Sequence, residues 1–389
     1  MYGFKMVIIA HDFPYPPNNG GRVDMWTRIK ALHSRGVKIF LITWLDREPS
    51  QQEYQEIGKY VERIIVYRRC HNIANIILSK YPSYIVDRRI SGLDMENLKS
   101  ELLLFSPQVL LLDGIAGSIC ALEIMNLFSE KIIFVYRSHN VEYLYAKALY
   151  MSEKNLAYKA VRYINIDRVK KIEKFIRNQS HIIFEISQDD YERLDMPNNV
   201  FLQNPIIDDK FTESKSYEFD ILFIGGLCWP NNIYGLKWFV INCIPYLEKE
   251  YKIVFAGSNP SKEFIKFCET YKIEVLPNPK DIKEVLSKGK VLINPIFHGS
   301  GVNIKILEML STGKSIVSTN KGVRGISKDI LSFIKYTDNA EQFSGYIEEA
   351  LKKPVYDLLQ VQKFRKIYSS DNIDNMLEMI SLYARDEKE

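Results

Sequence analysis

The chain has 389 residues, a formal net charge of +4, 46% hydrophobic residues and 26% charged residues. This length favours two domains, and the balanced composition excludes a disordered or low-complexity protein. The five cysteines lack metal-ligand spacing, and we interpret them as reduced thiols of a cytoplasmic protein. Residues 4–10 are too short for a signal peptide, and the longest apolar run, 109–125, contains two acids. We therefore expect no transmembrane helix.

Short β-branched runs alternate with helical stretches along the first half of the chain. This alternation is typical of a parallel sheet covered by helices. The predicted strands are residues 6–10, 38–43, 63–67, 109–112, 132–136 and 181–186. The clearest predicted helices are residues 22–34 and one long amphipathic helix over about 142–177.

The first predicted strand ends in a loop that reads HDFPYPPNNGGR from His11 to Arg22. Prolines stiffen this loop, Gly20 and Gly21 expose backbone N–H groups, and Arg22 follows at the start of a helix. We predict a site for an anion or a sugar here. A plain helix entry closed by a Pro/Gly turn is the alternative. The turn lacks G-x-G-x-x-G, and the chain contains no Walker motif.

The strand at 132–136 is followed by the polar sequence RSHNVE. Ser138 or Asn140 can cap the next helix, which explains part of this cluster without a function. Capping does not explain His139. Arg137 is predicted to contact the acceptor or the diphosphate. The His139 imidazole beside it is predicted to donate a hydrogen bond to a sugar hydroxyl or phosphate, or to stabilise charge in a transition state.

The segment from Lys147 to Arg177 is basic and rich in tyrosine. It contains nine cations (Lys147, Lys154, Lys159, Arg162, Arg168, Lys170, Lys171, Lys174 and Arg177) and three acids (Glu153, Asp167 and Glu173). Such a segment can rest on an anionic membrane surface or meet an anionic substrate. A long solvated helix is the alternative. We expect no nucleic-acid partner, because no binding motif accompanies the patch.

A second βα series follows the polar stretch 208–218, with predicted strands at 221–224, 252–256, 274–276, 291–294 and 315–318. We therefore predict an α/β protein of two doubly wound, Rossmann-like domains, 1–207 and 208–389, facing across a cleft. The last segment, about 356–389, is predicted to be helical and to pack against one or both domains. Polar residues 208–218 would connect the two domains.

The first strand of the second series is followed by the glycine pair Gly225 and Gly226 and a helix beginning near Asn232. Asn231 lies in the same turn. A later strand ends at Ala256-Gly257-Ser258, another turn of small residues. Each of these turns alone is a weak signal, but their shared position at strand ends favours a ligand site.

Residues 298–319, HGSGVNIKILEMLSTGKSIVST, read as a strand end, a glycine-rich turn, a helix and another strand. The turn contains Gly299, Ser300, Gly301, Val302 and Asn303. Its N–H groups and the helix N-terminus suit a diphosphate, and Lys305 adds a positive charge. Glu308, on the same helix face, can accept hydrogen bonds from ribose hydroxyls. This combination suits a nucleotide-sugar, whereas an ordinary surface pair with turn glycines is the alternative.

With these motifs, the chain resembles the GT-B glycosyltransferases of glycosyltransferase family 4, a retaining family, over nearly its whole length. The motifs that carry the resemblance are FPYPPNNGGR, RSHNVE, FIGGLCWPNNIYGLKWF and NPIFHGSGVNIKILEMLSTGKSIVST. The subgroup it resembles most acts in bacterial capsule, exopolysaccharide and O-antigen assembly. The resemblance implies an N-terminal acceptor domain and a C-terminal donor domain.

The implied activity is transfer of a hexosyl group from a nucleoside diphosphate sugar to a hydroxyl of a glycan or lipid-linked glycan, with retention. Glu308 matches the family's ribose-binding glutamate, whereas Ser300 stands where the family has a first glutamate. Gly20 and Gly21 match the glycine loop near the reacting sugar. His139, which matches a polar residue of the family's first domain, and Lys305 are the catalytic candidates.

Base recognition is expected in the segment 276–282, which includes Pro277. No Asp-x-Asp occurs in strand context, so we predict no obligatory metal and no cofactor other than the donor itself. Two rival hypotheses stay open on the sequence alone. One is a nucleotide-sugar epimerase on the same architecture, and the other is a catalytically silent subunit that binds a glycosyltransferase.

Overall fold

The structure, a computed structural model, describes residues 3–71, 79–128, 131–153, 155–193, 198–207, 217–299, 301–352 and 356–386. The chain divides into two compact units. The first contains Met1–Ile206 together with Ser370–Glu389, and the second contains Ile207–Ser369. The terminal segment that the sequence assigned to the second domain is therefore divided between the units.

In the described part of the chain, the first unit contains a sheet of seven parallel strands in the order β3-β2-β1-β4-β5-β6-β7. The strands are β1 (Lys5–Ala10), β2 (Lys38–Trp44), β3 (Arg63–Tyr67), β4 (Val109–Asp113), β5 (Ile133–Ser138), β6 (Ile182–Glu185) and β7 (Val200–Leu202). The order reverses between β1 and β4. Ligands of parallel α/β sheets bind at the carboxyl ends of the strands beside such a switch point.

The helices of this unit run between the strands. They are α1 (Gly20–Ser34), α2 (Gln51–Gly58), α3 (Ser83–Val86), α4 (Leu93–Phe105), α5 (Ser118–Phe128), α6 (Glu142–Ser152), α7 (Leu156–Gln179) and α8 (Gln188–Arg193). Apolar clusters cover both faces of the sheet: Ile8 belongs to one cluster, and its neighbour Ile9 belongs to the other. Burial on both faces explains why the strand sequences are continuously apolar.

The single long helix predicted over 142–177 is wrong, because two helices occupy this segment. Helix α6 ends where Glu153 takes an extended conformation, with φ −75° and ψ 125°. The side chain of Asn155 then accepts a hydrogen bond from the N–H of Tyr158 at 3.2 Å, which caps the start of α7. The basic, amphipathic composition is continuous across the break and therefore conceals it.

The second unit contains, among its described residues, six parallel strands in the order β10-β9-β8-β11-β12-β13. They are β8 (Phe219–Ile224), β9 (Ile253–Gly257), β10 (Glu274–Pro277), β11 (Gly289–Asn294), β12 (Ser315–Ser318) and β13 (Ile334–Tyr336). The helices are α9 (Pro230–Trp238), α10 (Lys262–Thr270), α11 (Ile282–Lys288), α12 (Ile304–Leu310), α13 (Lys328–Leu331), α14 (Ala340–Lys352) and α15 (Leu358–Tyr368). Strands β7 and β13 were not predicted.

The last helix, α16 (Ile373–Asp386), belongs to the first unit. Its apolar residues Ile373, Met376, Leu377 and Ile380 recur at helical spacing and join the core that contains Ile8. None of the described helices combines the length and the apolar character needed to cross a membrane.

Candidate functional site

The predicted donor loops of the second unit leave neighbouring strands at one edge of the sheet. Strands β8 and β11 pair directly, and the strand order reverses between them. Gly225 follows β8, and residues 295–303 follow β11. The topology therefore brings the glycine pair and the glycine-rich turn together at the switch point, where a parallel sheet binds its ligand.

Lys305 lies across Gly225 and connects the two loops. A Cβ atom at Gly225 would be 2.9 Å from Cε and 3.2 Å from Nζ of Lys305, so a side chain there would displace the lysine. The Nζ atom donates a hydrogen bond to Oδ1 of Asn232 at 2.9 Å. It also lies 4.6 Å from the centre of the Phe223 ring, a favourable position for a cation. The lysine is thus held at the switch point.

Glu308 lies one turn beyond Lys305 on α12, and both residues are half-buried. Among the described residues, no side chain forms a hydrogen bond or ion pair with the Glu308 carboxylate. Burial raises the pKa of Glu308 to about 7, although Lys305 and Lys283 oppose the shift. Burial lowers the pKa of Lys305 to about 7, and Glu308 opposes that shift. Both groups therefore titrate near neutral pH, and a polar ligand would stabilise their charged forms.

The turn before α12 has positive backbone φ angles at two positions, and both positions are glycines. Gly301 has a φ of +67° and Gly299 a φ of +142°, conformations that L side chains rarely adopt. Val302 is half-buried in the same turn. Ser300 lies outside the described residues. The side chain of Asn303 makes no capping hydrogen bond with α12, whereas its carbonyl oxygen accepts a hydrogen bond from the N–H of Ile306 at 3.0 Å.

Asn303 instead connects to a polar network that the sequence analysis missed. Its Nδ2 donates to Oδ1 of buried Asn294 at 3.3 Å. Asn294 in turn donates to Ser318 Oγ at 3.3 Å and to the carbonyl oxygen of Gly322 at 3.2 Å. A Cβ atom at Gly322 would be 2.3 Å from Ser318 Oγ, so only glycine fits. The available signal was Asn294, a polar residue that ends an apolar strand.

The other predicted donor residues lie along the same edge. A Cβ atom at Gly226 would be 2.2 Å from the Trp229 indole, which covers this glycine. Asn231 is exposed on the first turn of α9. Pro277 is exposed at the end of β10 and pairs in register with Gly257 of β9.

In the first unit, His139 follows β5 and contacts the end of β4. Its Nε2 is 2.6 Å from Oδ1 of Asp113. Burial opposes ionisation of Asp113, but Arg28 and His139 outweigh it and hold its pKa well below the usual value. Because the ionised carboxylate only accepts, Nε2 carries the proton and donates it to this hydrogen bond. The arrangement fixes the ring and leaves Nδ1 as its second polar atom.

His11, at the end of β1, packs edge-on against His139 with 5.3 Å between ring centres. Burial and the neighbouring His139 lower the pKa of His11 to about 4. Gly114 lies between the two rings, since a Cβ atom there would be 3.5 Å from Nδ1 of each. The pair occupies the switch point between β1 and β4, and the sequence analysis did not single out His11 by itself.

Arg137 belongs to a buried ionic network. Its guanidinium is 2.8 Å from Asp24 and 3.4 Å from Asp113, and its side chain is fully buried. Arg28 completes the network, at 3.0 Å from Asp24 and 2.5 Å from Asp113. We predicted Arg137 as a ligand contact, but the structure places it beneath the surface, where it holds the two aspartates. The signal for the network was Asp113, a charge that ends an apolar run.

The predicted N-terminal glycine loop lies at the start of α1. The helix begins at Gly20, and the side chain of Asn19 accepts a hydrogen bond from the N–H of Arg22 at 3.0 Å. A Cβ atom at Gly21 would be 4.0 Å from Nε2 of His11. Arg22 pairs with Asp12 at 2.8 Å, so part of its charge is already neutralised.

Comparison with known proteins agrees with this architecture. Residues 218–353 match the family model described as glycosyl transferases group 1. The chain is 25% identical over 397 aligned positions to the uncharacterised 44.6 kDa protein in the cps region of Klebsiella pneumoniae. That alignment covers 94% of this chain and 98% of the relative.

Two solved structures with similar folds are glycosyltransferases of the GT-B class. Sucrose-phosphate synthase from Thermosynechococcus elongatus aligns with a TM-score of 0.69 and 12% identity, over 98% of both chains. Anabaena Alr3699/HepE in complex with UDP and glucose aligns with a TM-score of 0.66 and 8% identity, over 97% of this chain and 99% of that one. The predicted GT-B fold is confirmed.

Proposed function

From the group 1 glycosyltransferase domain in residues 218–353, we propose that this protein transfers a sugar from a nucleoside diphosphate sugar to a hydroxyl of a glycan or lipid-linked glycan. We further propose that the transfer retains the anomeric configuration and serves bacterial surface polysaccharide synthesis. The relative from a cps, or capsule, region supports this biological setting. The Anabaena neighbour in complex with UDP and glucose makes UDP the first nucleotide to test.

The observation that carries the proposal is the position of Lys305 between Gly225 and Asn232, at the carboxyl ends of β8 and β11. In the reaction, the bond between the anomeric carbon and the diphosphate oxygen breaks, and a bond to the acceptor oxygen forms. The electron pair of the broken bond, and hence negative charge, stays with the leaving nucleoside diphosphate, and the proton of the acceptor hydroxyl passes to that leaving group or to water. Lys305 and the amides of the turn before α12 would stabilise that charge. Glu308 would accept hydrogen bonds from the ribose hydroxyls.

Within the first unit, His139 is the proposed catalytic residue. Asp113 fixes its ring, so its Nδ1 would be oriented for a hydrogen bond with a sugar hydroxyl. Gly20 and Gly21 would let a sugar approach the backbone at the start of α1. Arg22 would contribute the remaining positive charge of its pair with Asp12 to this loop.

We test the function by incubating the protein with UDP-sugars, a bacterial lipid extract and EDTA, and by following UDP release and glycosylated product. The proposal predicts a product that depends on the acceptor and forms in EDTA, with an anomeric configuration that NMR shows to be retained. An isomerised sugar without an acceptor would instead indicate an epimerase. Absence of any nucleotide binding would favour a silent partner subunit.

A further inference from the structure

Helices α6 and α7 form a hairpin that hydrogen bonds and an ion pair hold together. The Glu173 carboxylate of α7 accepts hydrogen bonds from the N–H groups of Glu142 and Tyr143, at 2.9 and 3.1 Å. Arg162 of α7 donates to the Leu149 carbonyl at 2.9 Å and pairs with Glu153 at 3.0 Å. The two helices are therefore fixed to each other at both ends.

Only the C-terminal half of α7 packs into the core of the unit. Val169, Ile172 and Ile176 are buried there. By contrast, none of the described side chains of α6, or of residues 156–168 in α7, is fully buried. The free end of the hairpin therefore extends beyond the core, and its apolar residues are not explained by folding of this unit.

Large apolar side chains are exposed at this free end. Leu156 is 82% exposed, Tyr163 is 65% exposed and Ile164 is 53% exposed. With 3.6 residues per turn, Leu156 and Tyr163 lie on the side of α7 opposite to Val169 and Ile172, and Ile164 lies at the edge of that side. Together with Tyr150 and Ala160 they line an open groove of about 430 Å³. A contiguous apolar patch of this kind marks an interaction surface.

Cations flank the apolar residues on the same outer face. Lys159, whose Nζ lies 5.3 Å from the centre of the Tyr150 ring, borders the groove. Lys171 and Lys174 are exposed further along the outer side of α7. The buried Glu173 is occupied in holding α6, so it does not offset these charges at the surface. Asp167 pairs with Lys171 at 2.7 Å and offsets that charge alone.

We propose that the free end of the α6–α7 hairpin docks on an anionic lipid bilayer, with Leu156, Tyr163 and Ile164 entering the headgroup region and the lysines contacting lipid phosphates. Apolar and tyrosine side chains flanked by lysines are suited to such an interface. A second copy of the chain is disfavoured as occupant, because two basic hairpins would repel each other. Docking would bring the enzyme to a lipid-linked acceptor, and this last step rests on the proposed function.

The test is flotation of the full chain with vesicles of phosphatidylcholine alone or with about 30% phosphatidylglycerol. Binding is expected only to the anionic vesicles. The Leu156→Asn/Ile164→Asn variant is expected to lower the partition coefficient by about 100-fold. The Lys159→Gln/Lys174→Gln variant is expected to lower it by about 30-fold at low salt.

The matched control is Leu103→Asn/Leu104→Asn, which removes two exposed leucines of α4 in the same unit. It is expected to bind as the wild type does. Equal binding to both vesicle types, no binding to either, or a hairpin variant that still binds would overturn the proposal. Concentration-dependent dimerisation that the hairpin variant abolishes would also overturn it. A UDP-induced thermal shift, measured on the same samples, reports the donor site separately.

Discussion

The Nζ atom of Lys305 donates a hydrogen bond to Oδ1 of Asn232 at 2.9 Å. This bond joins the helix after the glycine-rich turn to the helix after the glycine pair, across 73 positions of sequence. It fixes the lysine in the absence of any ion pair with Glu308. The donor site would therefore be preorganised by Asn232, with Glu308 kept available for the ligand.

Replacement of Lys305 tests the proposed charge stabilisation. We expect Lys305→Met to lower kcat for sugar transfer by about 10²–10³-fold, because the leaving diphosphate loses a fixed cation. The control is Lys266→Met, which removes an exposed lysine of α10 in the same unit. Initial rates of UDP release measure both variants. Equal rates for Lys305→Met and wild type would exclude a role for this lysine in the reaction.

Replacement of Gly225 tests the space that Lys305 occupies. A Cβ atom at Gly225 would be 2.9 Å from Lys305 Cε and 3.1 Å from Phe223 Cζ, so Gly225→Ala should displace the lysine. We expect at least a tenfold weaker nucleotide affinity, or about 1.4 kcal/mol, by calorimetry. Gly345→Ala is the control, since a Cβ atom there meets nothing within 4 Å and α14 would gain helix propensity. Unchanged affinity in Gly225→Ala would contradict the described path of the lysine.

The pKa of Glu308 is raised to about 7, and this shift predicts that the free energy of unfolding depends on pH. The folded state holds the Glu308 proton more tightly than the unfolded state, so its contribution to stability is present below about pH 4.5 and is lost as the pH rises through 7. Glu308→Gln should therefore be more stable than wild type at pH 8, by about 1–2 kcal/mol after allowance for solvent screening. The difference should vanish near pH 4. Urea unfolding at both pH values measures it, and a constant difference would refute the shift.

The pKa of Lys305 is lowered to about 7, and this shift predicts that ligand binding is coupled to proton uptake. The free protein loses the lysine charge as the pH rises through 7, whereas a bound diphosphate favours the charged form. UDP binding at pH 8 should therefore take up a proton at Lys305, and this uptake should be absent in Lys305→Met. Calorimetry in buffers of different ionisation enthalpy measures the uptake. Identical proton uptake in both proteins would count against a diphosphate contact with Lys305.

The His139–Asp113 contact predicts two separable effects in the first unit. His139→Gln should leave the fold and nucleotide affinity intact and lower transfer by about 10²–10³-fold. Asp113→Asn should instead destabilise the unit by about 3–5 kcal/mol, because Arg28 and Arg137 would lose a buried counterion. His33→Gln, at the exposed end of α1, is the control for transfer. Full activity in His139→Gln would remove this residue from the catalytic set.

Local patterns were sufficient for most of the fold, since every predicted strand is present in the structure. Most of these strands are apolar runs, and burial on both faces makes that signal strong. The edge strands β3 and β10 begin with a charged residue and contain no fully buried one. Strands β7 and β13 have three residues each, too few for a pattern to emerge. The break between α6 and α7 depends on one extended residue, Glu153, within a segment of unchanged composition.

The candidate sites were only partly predictable, because their key contacts join residues that are distant in sequence. The glycine-rich turn and Lys305 lie within one readable motif, so the sequence predicted their proximity. Asn232 joins the candidate donor site only through its bond to Lys305. The buried position of Arg137 depends on Asp24 in α1 and Asp113 in β4, and no spacing in the sequence encodes that convergence.

The most direct test of the nucleotide-sugar site is a thermal-shift panel of UDP, GDP, ADP and CMP on wild type, Glu308→Ala and the control Glu349→Ala, which changes an exposed residue of α14. A ligand at 100 times its Kd stabilises the protein by about 2.7 kcal/mol. We predict that one nucleotide of the panel stabilises wild type and the control but not Glu308→Ala, and UDP is the first candidate. No shift with any nucleotide, or an equal shift in all three proteins, would contradict a donor site at Glu308.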